Sequence, residues 1–516
     1  MSSHNLEKGS LDGAPETSST DDNIAPIQHA DQQSTWSWET DEANPLNWPA
    51  GKKAWQVGMA ASNAFVASLG TSIITASHDQ IMSEFSVTST QAILPLSLYV
   101  FALGLGPVVG GPLSETVGRY PVFALFTPIA GLFTLGAAQT SSFVALCILR
   151  FLAGFFFAPC LAISAGLLNE TYKKEQRGLP SALFILTPFL GPGLAPAIGG
   201  FVCNRKGWRW AMYTMLFFTA FAMLITLVFG RETFPPVLKR RLAKKRGIPL
   251  TEVQRQEDDK PVMKRMHEFM TVALIRPVHM LFTEPIVSLM CLYVACEFAT
   301  LFSFFAAVPF VYQGTYKFGV ENTGLVFLSV VIGCILGTVT IIVCEVALYR
   351  PKVAQLPPGT TYPEWRLYPA MIGSIGPPVG LFWFAWTARA DISWASPTVA
   401  IIVFSWGNIC IFISTMQYMV DTYHGSVVAS ASSANSLARY GFAGAFPLFT
   451  IQSKFTIHPI RVTIYLSLYL VYTNLGIGWA TSIFAFIALA LMPVPWVFFK
   501  FGKQIRAKSQ YETATF

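Results

Sequence analysis

The stretch FVALCILRFLAGFFFAPCLAISAGL, residues 143–167, carries a single charge, Arg150. At about 1.5 Å per residue, a helix of this length crosses the ~30 Å hydrocarbon core of a bilayer. Apolar on every side, it has no face to offer water. Similar runs lie at 54–76, 90–112, 120–138, 179–203 and 208–230, and again at 285–312, 322–346, 367–388, 395–418, 427–450 and 476–499. The chain has 516 residues, 53% hydrophobic and 12% charged, about half the ~25% charged residues of soluble domains. An ordinary soluble enzyme is excluded, and the pattern predicts an all-α membrane protein of twelve transmembrane helices in two six-helix bundles.

Outward from the spans, residues 1–50 hold Lys8 against nine Asp and Glu and no apolar periodicity, which predicts a disordered tail and no signal peptide. Bundles are expected over 51–230 and 285–499, joined by a polar linker, 231–284, and followed by a C-tail, 500–516. Twenty-six of the 35 Lys and Arg fall on the side of the linker and both termini. Basic loops resist translocation, so that side is expected in the cytosol, with the protein in the plasma membrane. Topology thus accounts for the net charge of +7, and the basic linker reads as a segment facing lipid headgroups, not as a nucleic-acid site. The eight cysteines sit in or beside apolar runs without metal-ligand spacing and read as small core residues.

The chain holds no G-x-x-x-x-G-K-[ST] loop to cradle ATP and no H-x-x-x-H or H-E-x-x-H pair to bind a catalytic metal, so neither an ATP-driven pump nor an intramembrane hydrolase is expected, and no cofactor. Twelve spans in two halves favour a transporter built around a midplane site.

Between spans two and three runs Gly111-Pro-Leu-Ser-Glu115-Thr-Val-Gly118-Arg119-Tyr-Pro-Val122. Glu115 and Arg119, four apart at a glycine-rich turn, can pair with each other and with helix ends, latching helices that must slide; a plain loop cap is the alternative. Span five reads Gly191-Pro192-Gly193-Leu-Ala195-Pro196-Ala-Ile-Gly199-Gly200-Phe201, and in a membrane such Gly and Pro density allows close helix approach and bending. Further short motifs lie at Asn44–Trp48, Gly207–Trp210, Glu232–Leu238, Thr283–Pro285, Leu367–Ala370, Trp383–Thr387 and Ala445–Phe449. Together these resemble the fungal twelve-span drug:proton antiporters of the major facilitator superfamily, multidrug and toxin efflux pumps, over most of the chain. Departures are Thr116 and Tyr120, where basic residues are common, and Ala195, where Gly is usual. The resemblance implies alternating access driven by protons, no covalent catalysis, and export as the meaning of Gly191, Pro192, Pro196, Gly199 and Gly200. It also assigns Arg150 to proton coupling, with a structural ion pair as the competing role.

Arg150, Glu297 and Arg439 are the three charges well inside spans, and intramembrane charge marks function by default, so all three are expected to take part in proton coupling. Tyr293, Glu297, Thr300 and Phe304 share one helical face; a carboxyl there can carry a proton or bind a cation, or be a structural group paired with Arg. Arg439 has Ser432, Asn435 and Ser436 within two turns to hydrogen-bond its head, and a pair with Glu297 across the bundle is the further expectation. An aromatic content of 14% offers Tyr99, Phe155, Phe189, Phe298, Phe305 and Trp406 as cavity walls, besides Tyr293, Phe304 and Asn435, although such rings also serve packing.

The expected function is proton-coupled efflux of a small amphipathic organic compound, a drug, toxin or secondary metabolite, by a monomer. Nutrient uptake by the same fold would show Gln- and Asn-rich spans, and a receptor would show a longer tail than the C-terminal 17 residues. One segment departs from the pattern. Ser453–Val471 stands where the family has one or two residues, and its apolar part after Arg461 is too short to span. It is expected to form an irregular or interfacial excursion on the outer face, or to be an intron translated in frame.

Overall fold

Helix after helix follows in the computed structural model, which describes residues 37–173, 176, 178–246, 271, 275–357, 361–424, 426–449, 468–511 and 513. Of the unit Met1–Asp41 only residues 37–41 are described, with a turn at 38–40, while Glu42–Phe516 carries all the described helices. The membrane helices are α1 (Ala50–Ser72), α2 (Ser89–Val117), α3 (Arg119–Gln139), α4 (Phe143–Thr171), α5 (Gly178–Lys206) and α6 (Trp208–Phe229). After the linker come α7 (Pro285–Gly314), α8 (Leu328–Cys344), α9 (Tyr368–Gly373 with Gly376–Thr387), α10 (Ala395–Thr422), α11 (Ser426–Phe449) and α12 (Leu468–Leu491).

Ten segments among the described residues are long and apolar enough to cross a membrane. The two exceptions have physical causes. The ninth span, expected unbroken over 367–388, breaks at Ser374-Ile375. Pro377 and Pro378 lack the N–H groups that would continue the first piece, and their rings crowd its last carbonyls. Span eleven is one helix of 24 residues, but its serines, Asn435 and Arg439 make it too polar. Helix α12 also has a break, at Gly476 with φ 74°, and a further helix, Val494–Arg506, extends beyond it. The excursion expected at 453–471 lies outside the described residues except for 468–471, which already belong to α12. Most of the tail expected over 1–50 also lies outside them; its last residues form a cap in which Asn44 Oδ1 accepts from Leu46 N (3.1 Å) and Lys53 Nζ donates to Leu46 O (2.8 Å).

Large apolar side chains stay exposed on the outer helices, among them Leu125 and Leu132 on α3, Phe217 and Phe221 on α6, Leu336 and Val339 on α8, and Phe486 on α12. In water such a surface would aggregate; in lipid it is solvated. The two halves meet along two seams of small residues. In one, Gly104 of α2 faces Tyr440 of α11, and Gly444 of α11 faces the Ser97 carbonyl of α2. In the other, Gly193 and Gly200 of α5 lie against α8 and the short helix Val320–Val326 that leads into it.

Candidate functional site

Between the halves, at the end away from the linker, lies a cavity of about 830 Å³, within the ~300–1,000 Å³ of small-molecule sites. Its walls are mainly apolar, with Leu96 of α2, Pro196 of α5, Phe305 and Phe310 of α7 and Phe327 ahead of α8. His78, Asp79 and Gln313 supply polar groups. His78 is fixed by Asp79 Oδ1 (3.1 Å) on one ring nitrogen and the Ser89 carbonyl (3.1 Å) on the other.

A column of rings leads down from the cavity floor. Phe327 stacks on Phe305 at 5.3 Å between centroids, Phe305 meets Phe302 at 5.3 Å, and Phe302 meets Phe298 at 6.5 Å. Phe298 packs against Phe189 and Phe412, each at 5.5 Å, and at the foot lies Arg439, its guanidinium carbon 4.7, 4.6 and 4.4 Å from the centroids of Phe298, Phe412 and Tyr440. The expected pair between Arg439 and Glu297 does not form. Glu297 immediately precedes Phe298 on α7 and therefore points about 100° away around the helix. It is directed toward α10, where Asn408 Nδ2 donates to its backbone carbonyl (3.1 Å) and its Oε2 has no hydrogen-bond partner. Tyr293, Glu297, Thr300 and Phe304 do share a buried face, but that face looks into the C-terminal half: Phe304 packs on Phe384 of α9 and Phe404 of α10.

Arg150, fully buried on α4, has a different environment. Its Nη2 donates to the Gly70 carbonyl (2.5 Å) and its Nε to the Pro95 carbonyl (3.4 Å), with Tyr99 under the guanidinium at 4.2 Å. Gly70 lies in the last turn of α1, where carbonyls run out of intrahelical N–H groups and the helix dipole is negative. Tyr99 is itself held by its hydroxyl donating to the Ala67 carbonyl (2.8 Å). No carboxylate among the described residues pairs with Arg150, so the competing role as an ion pair is not what the structure has.

On the linker side Arg119 forms an ion pair, but with a different partner from the one expected. Gly118 (φ 112°, ψ 161°) turns α2 into α3 and brings Arg119 against Glu170 at the end of α4, Nη2 to Oε1 at 2.9 Å, while its Nη1 donates to Ser114 Oγ (2.5 Å). Glu232 Oε1, just after α6, accepts from the backbone N–H groups of Arg119 (2.8 Å), Thr233 (3.1 Å) and Phe234 (3.0 Å), and Thr233 Oγ1 donates to Glu170 Oε2 (2.7 Å). Glu115, expected to pair with Arg119, is exposed and forms no ion pair among the described residues: with Arg119 drawn inward to α4, its own turn is left facing water. Gly111 is half-buried with nothing close to the position of an added Cβ. The C-terminal half repeats the arrangement without the motif. Arg366, ahead of α9, reaches Glu345 after α8 (2.9 Å) and Asp421 near the end of α10 (2.8 Å), over the Tyr349 ring. Burial alone would lower its pKa, but Asp421, Tyr349 and Glu345 together hold the guanidinium above its usual range.

The glycines of the α5 motif divide between two neighbours: Gly191 and Gly199 lie against Ser68 and the Ile73 carbonyl of α1, and Gly200 against the Val320 carbonyl. Pro192 O accepts from Ser72 Oγ (3.2 Å), and Pro196 lines the cavity. Of the residues expected as walls, Phe305 lines the cavity, while Tyr99, Phe155, Tyr293, Phe304, Trp406 and Asn435 do not. Phe155 packs on Phe156, Trp406 Nε1 donates to Thr340 Oγ1 (3.0 Å), and Asn435 Nδ2 reaches Cys291 Sγ (3.8 Å). Sequence reasoning missed Glu170, Glu232 and Arg366; Glu232 stood in a quoted motif, and Glu170 had only its place after an apolar run as a signal. Among the described residues no group of three or more His, Cys, Asp or Glu is placed to hold a metal.

The family model of the Major Facilitator Superfamily matches residues 60–448. Efflux pump FUB11 of Gibberella fujikuroi is 37% identical over 434 residues, covering 84% of this chain and 72% of that protein. The major facilitator superfamily multidrug transporter mdrA of Aspergillus fumigatus is 36% identical over 476 residues (92% and 75%), and Polyamine transporter 4 of Saccharomyces cerevisiae 33% over 507 residues (92% and 72%). In fold the chain is similar to the proton:xylose symporter XylE bound to 6-bromo-6-deoxy-D-glucose, with a TM-score of 0.58 at 14% identity, covering 88% of this chain and 97% of that one. The chain belongs to the major facilitator superfamily and is a multi-pass membrane transporter, not an enzyme.

Proposed function

We propose that the protein exports a small amphipathic organic compound in exchange for protons, by alternating access, as a monomer in the plasma membrane with termini and linker in the cytosol. The observation that carries the choice of compound is the cavity: apolar and aromatic walls with few polar groups suit a largely apolar molecule with a polar end. Relatives named as efflux and multidrug pumps support the outward direction. Glu297, a buried carboxyl on α7, is the proton carrier in this reading; Arg150 and Arg439 hold the charge balance of the two halves; and Gly111, Glu115, Gly118 and Arg119 belong to the inner gate. A second reading, transport of a cationic amine, is favoured by the relative named as a polyamine transporter and by Asp79 in the cavity.

Inside-out vesicles containing the full chain, with an acidified lumen, test the proposal. Fluorescent amphipaths are expected to accumulate in the lumen, and a protonophore to abolish this. Flux in the opposite direction, or flux indifferent to the gradient, overturns it. The orientation has its own test. The sequon Asn169-Glu170-Thr171 lies at the linker-side end of α4 with Thr171 buried, and it is expected to carry no glycan. A glycan there, or a terminal tag reached from outside intact cells, inverts the topology.

A further inference from the structure

We infer that Arg439 is an anion-binding site, taking the carboxylate of an aromatic organic acid whose ring lies among Phe298, Phe412 and Tyr440; this deepens the export reading by naming its substrate class. Three observations converge. The guanidinium has rings 4.4 to 4.7 Å from its carbon but no carboxylate or carbonyl acceptor among the described residues, and its Nε is buried without a partner. Arg439 is half-buried with only its Nε sealed off, and a cation held among rings lacks the counter-charge that stabilises ions away from bulk water. One turn earlier on α11, Asn435 is buried and its Nδ2 is held only by a long 3.8 Å contact to Cys291 Sγ, a donor that can be redirected to an anion with its unpartnered Oδ1 turned away. Finally, the ring column connects this spot to the floor of the cavity, where the rings of Phe305 and Phe327 now close it off.

The contrast with Arg150 sharpens the inference, because there backbone carbonyls already accept from the guanidinium. Arg439 presents a planar fork of donors with rings around it. That geometry suits a planar carboxylate on an aromatic body better than a cation, which it would repel, or a sugar, whose hydroxyls would find few partners.

The test uses the purified full chain in lipid nanodiscs without any gradient, with 2-naphthoate as probe, its uncharged amide as control and chloride as competitor. The wild-type protein is expected to bind naphthoate at least tenfold more tightly than the amide. Arg439→Gln should erase that preference, and Arg439→Lys should keep part of it. Asn435→Asp places a carboxylate one turn from the guanidinium, where it can pair with it, so this variant should stay folded and lose the acid while still binding the amide. It decides the matter if the Gln variant does not fold. Absence of saturable naphthoate binding, equal affinity for acid and amide, an undiminished preference in Arg439→Gln or Asn435→Asp, or displacement by equimolar chloride would each overturn the assignment. Since no gradient is present, a protein that binds the acid but exports nothing counts against the export reading alone.

Discussion

Arg150 in α4 donates to the carbonyls of Gly70 and Pro95 and rests on Tyr99, whereas Arg439 in α11 rests on three rings and finds no acceptor among the described residues. Glu297 in α7 is incomplete in the same way, with Oε2 unpartnered and no cation within ion-pair distance among the described residues. Hydrogen bonds to charged groups contribute about 1.5–3 kcal/mol each, and cation–π contacts ~0.5–2. The N-terminal charge is therefore built into the packing, while the C-terminal charges are held but unsatisfied. The proposed export cycle uses both kinds: a fixed charge that keeps one half rigid, and groups whose missing partners are supplied in turn by protons and substrate.

The largest expected effect separates these two conditions. Arg150→Ala and Glu297→Gln should both abolish gradient-driven export, yet with opposite stability signatures. Losing Arg150 leaves the Gly70 carbonyl at the end of α1 without its donor, while the Pro95 carbonyl, inside α2, keeps its helical N–H, and should lower stability by roughly 1–3 kcal/mol. Glu297→Gln removes a buried charge without changing shape, so its melting should stay at or above that of the parent. Thermal melts of the purified variants alongside vesicle flux decide. If either variant exports at the parent's rate, its residue is structural; if both melt alike, the distinction between the halves fails.

Next in size is the turn between α2 and α3. Gly118 sits at φ 112° and ψ 161°, a region open essentially to glycine alone, and an added Cβ would run into the Glu232 carboxylate that caps the start of α3. Strain of ~1–3 kcal/mol makes Gly118→Ala a roughly tenfold loss of export if the latch must close in every cycle. Arg366→Gln tests whether the matching arrangement in the C-terminal half carries comparable weight: an equal loss means the two halves are latched symmetrically, and no loss means the N-terminal latch acts alone.

These sites were unequally legible in the sequence. Spans showed themselves because apolar length is a local property, and Arg150, Glu297 and Arg439 because charge in such runs is conspicuous. The partners were not legible. Arg119 stands 51 positions from Glu170, and nothing local says which of several nearby carboxylates a long side chain will reach. Glu115 looked right because it lies four residues away, but the turn at Gly118 rotates Arg119 toward α4. Arg439 could not be placed over its rings, nor Glu297 turned from it, without knowing how α7, α10 and α11 pack. The break in the ninth span was written in Gly376-Pro377-Pro378, but membrane helices tolerate proline, so the sign was ambiguous.

The smallest expected effect follows from that same corrected pairing. Glu115 is exposed and pairs with nothing among the described residues, so Glu115→Gln should alter export less than twofold, in keeping with the ~0–1 kcal/mol of surface ion pairs. Glu170→Gln removes the carboxylate that holds both Arg119 and Thr233 and should cost much more. Glu170→Asp, which keeps the charge but shortens the reach, should fall between the two. The series is read as initial export rate in vesicles at matched protein levels. Should Glu115→Gln prove as damaging as Glu170→Gln, Glu115 must engage Arg119 in the opposite conformation of the cycle. The pairing expected from the sequence would then describe one state of the gate and the observed pairing the other.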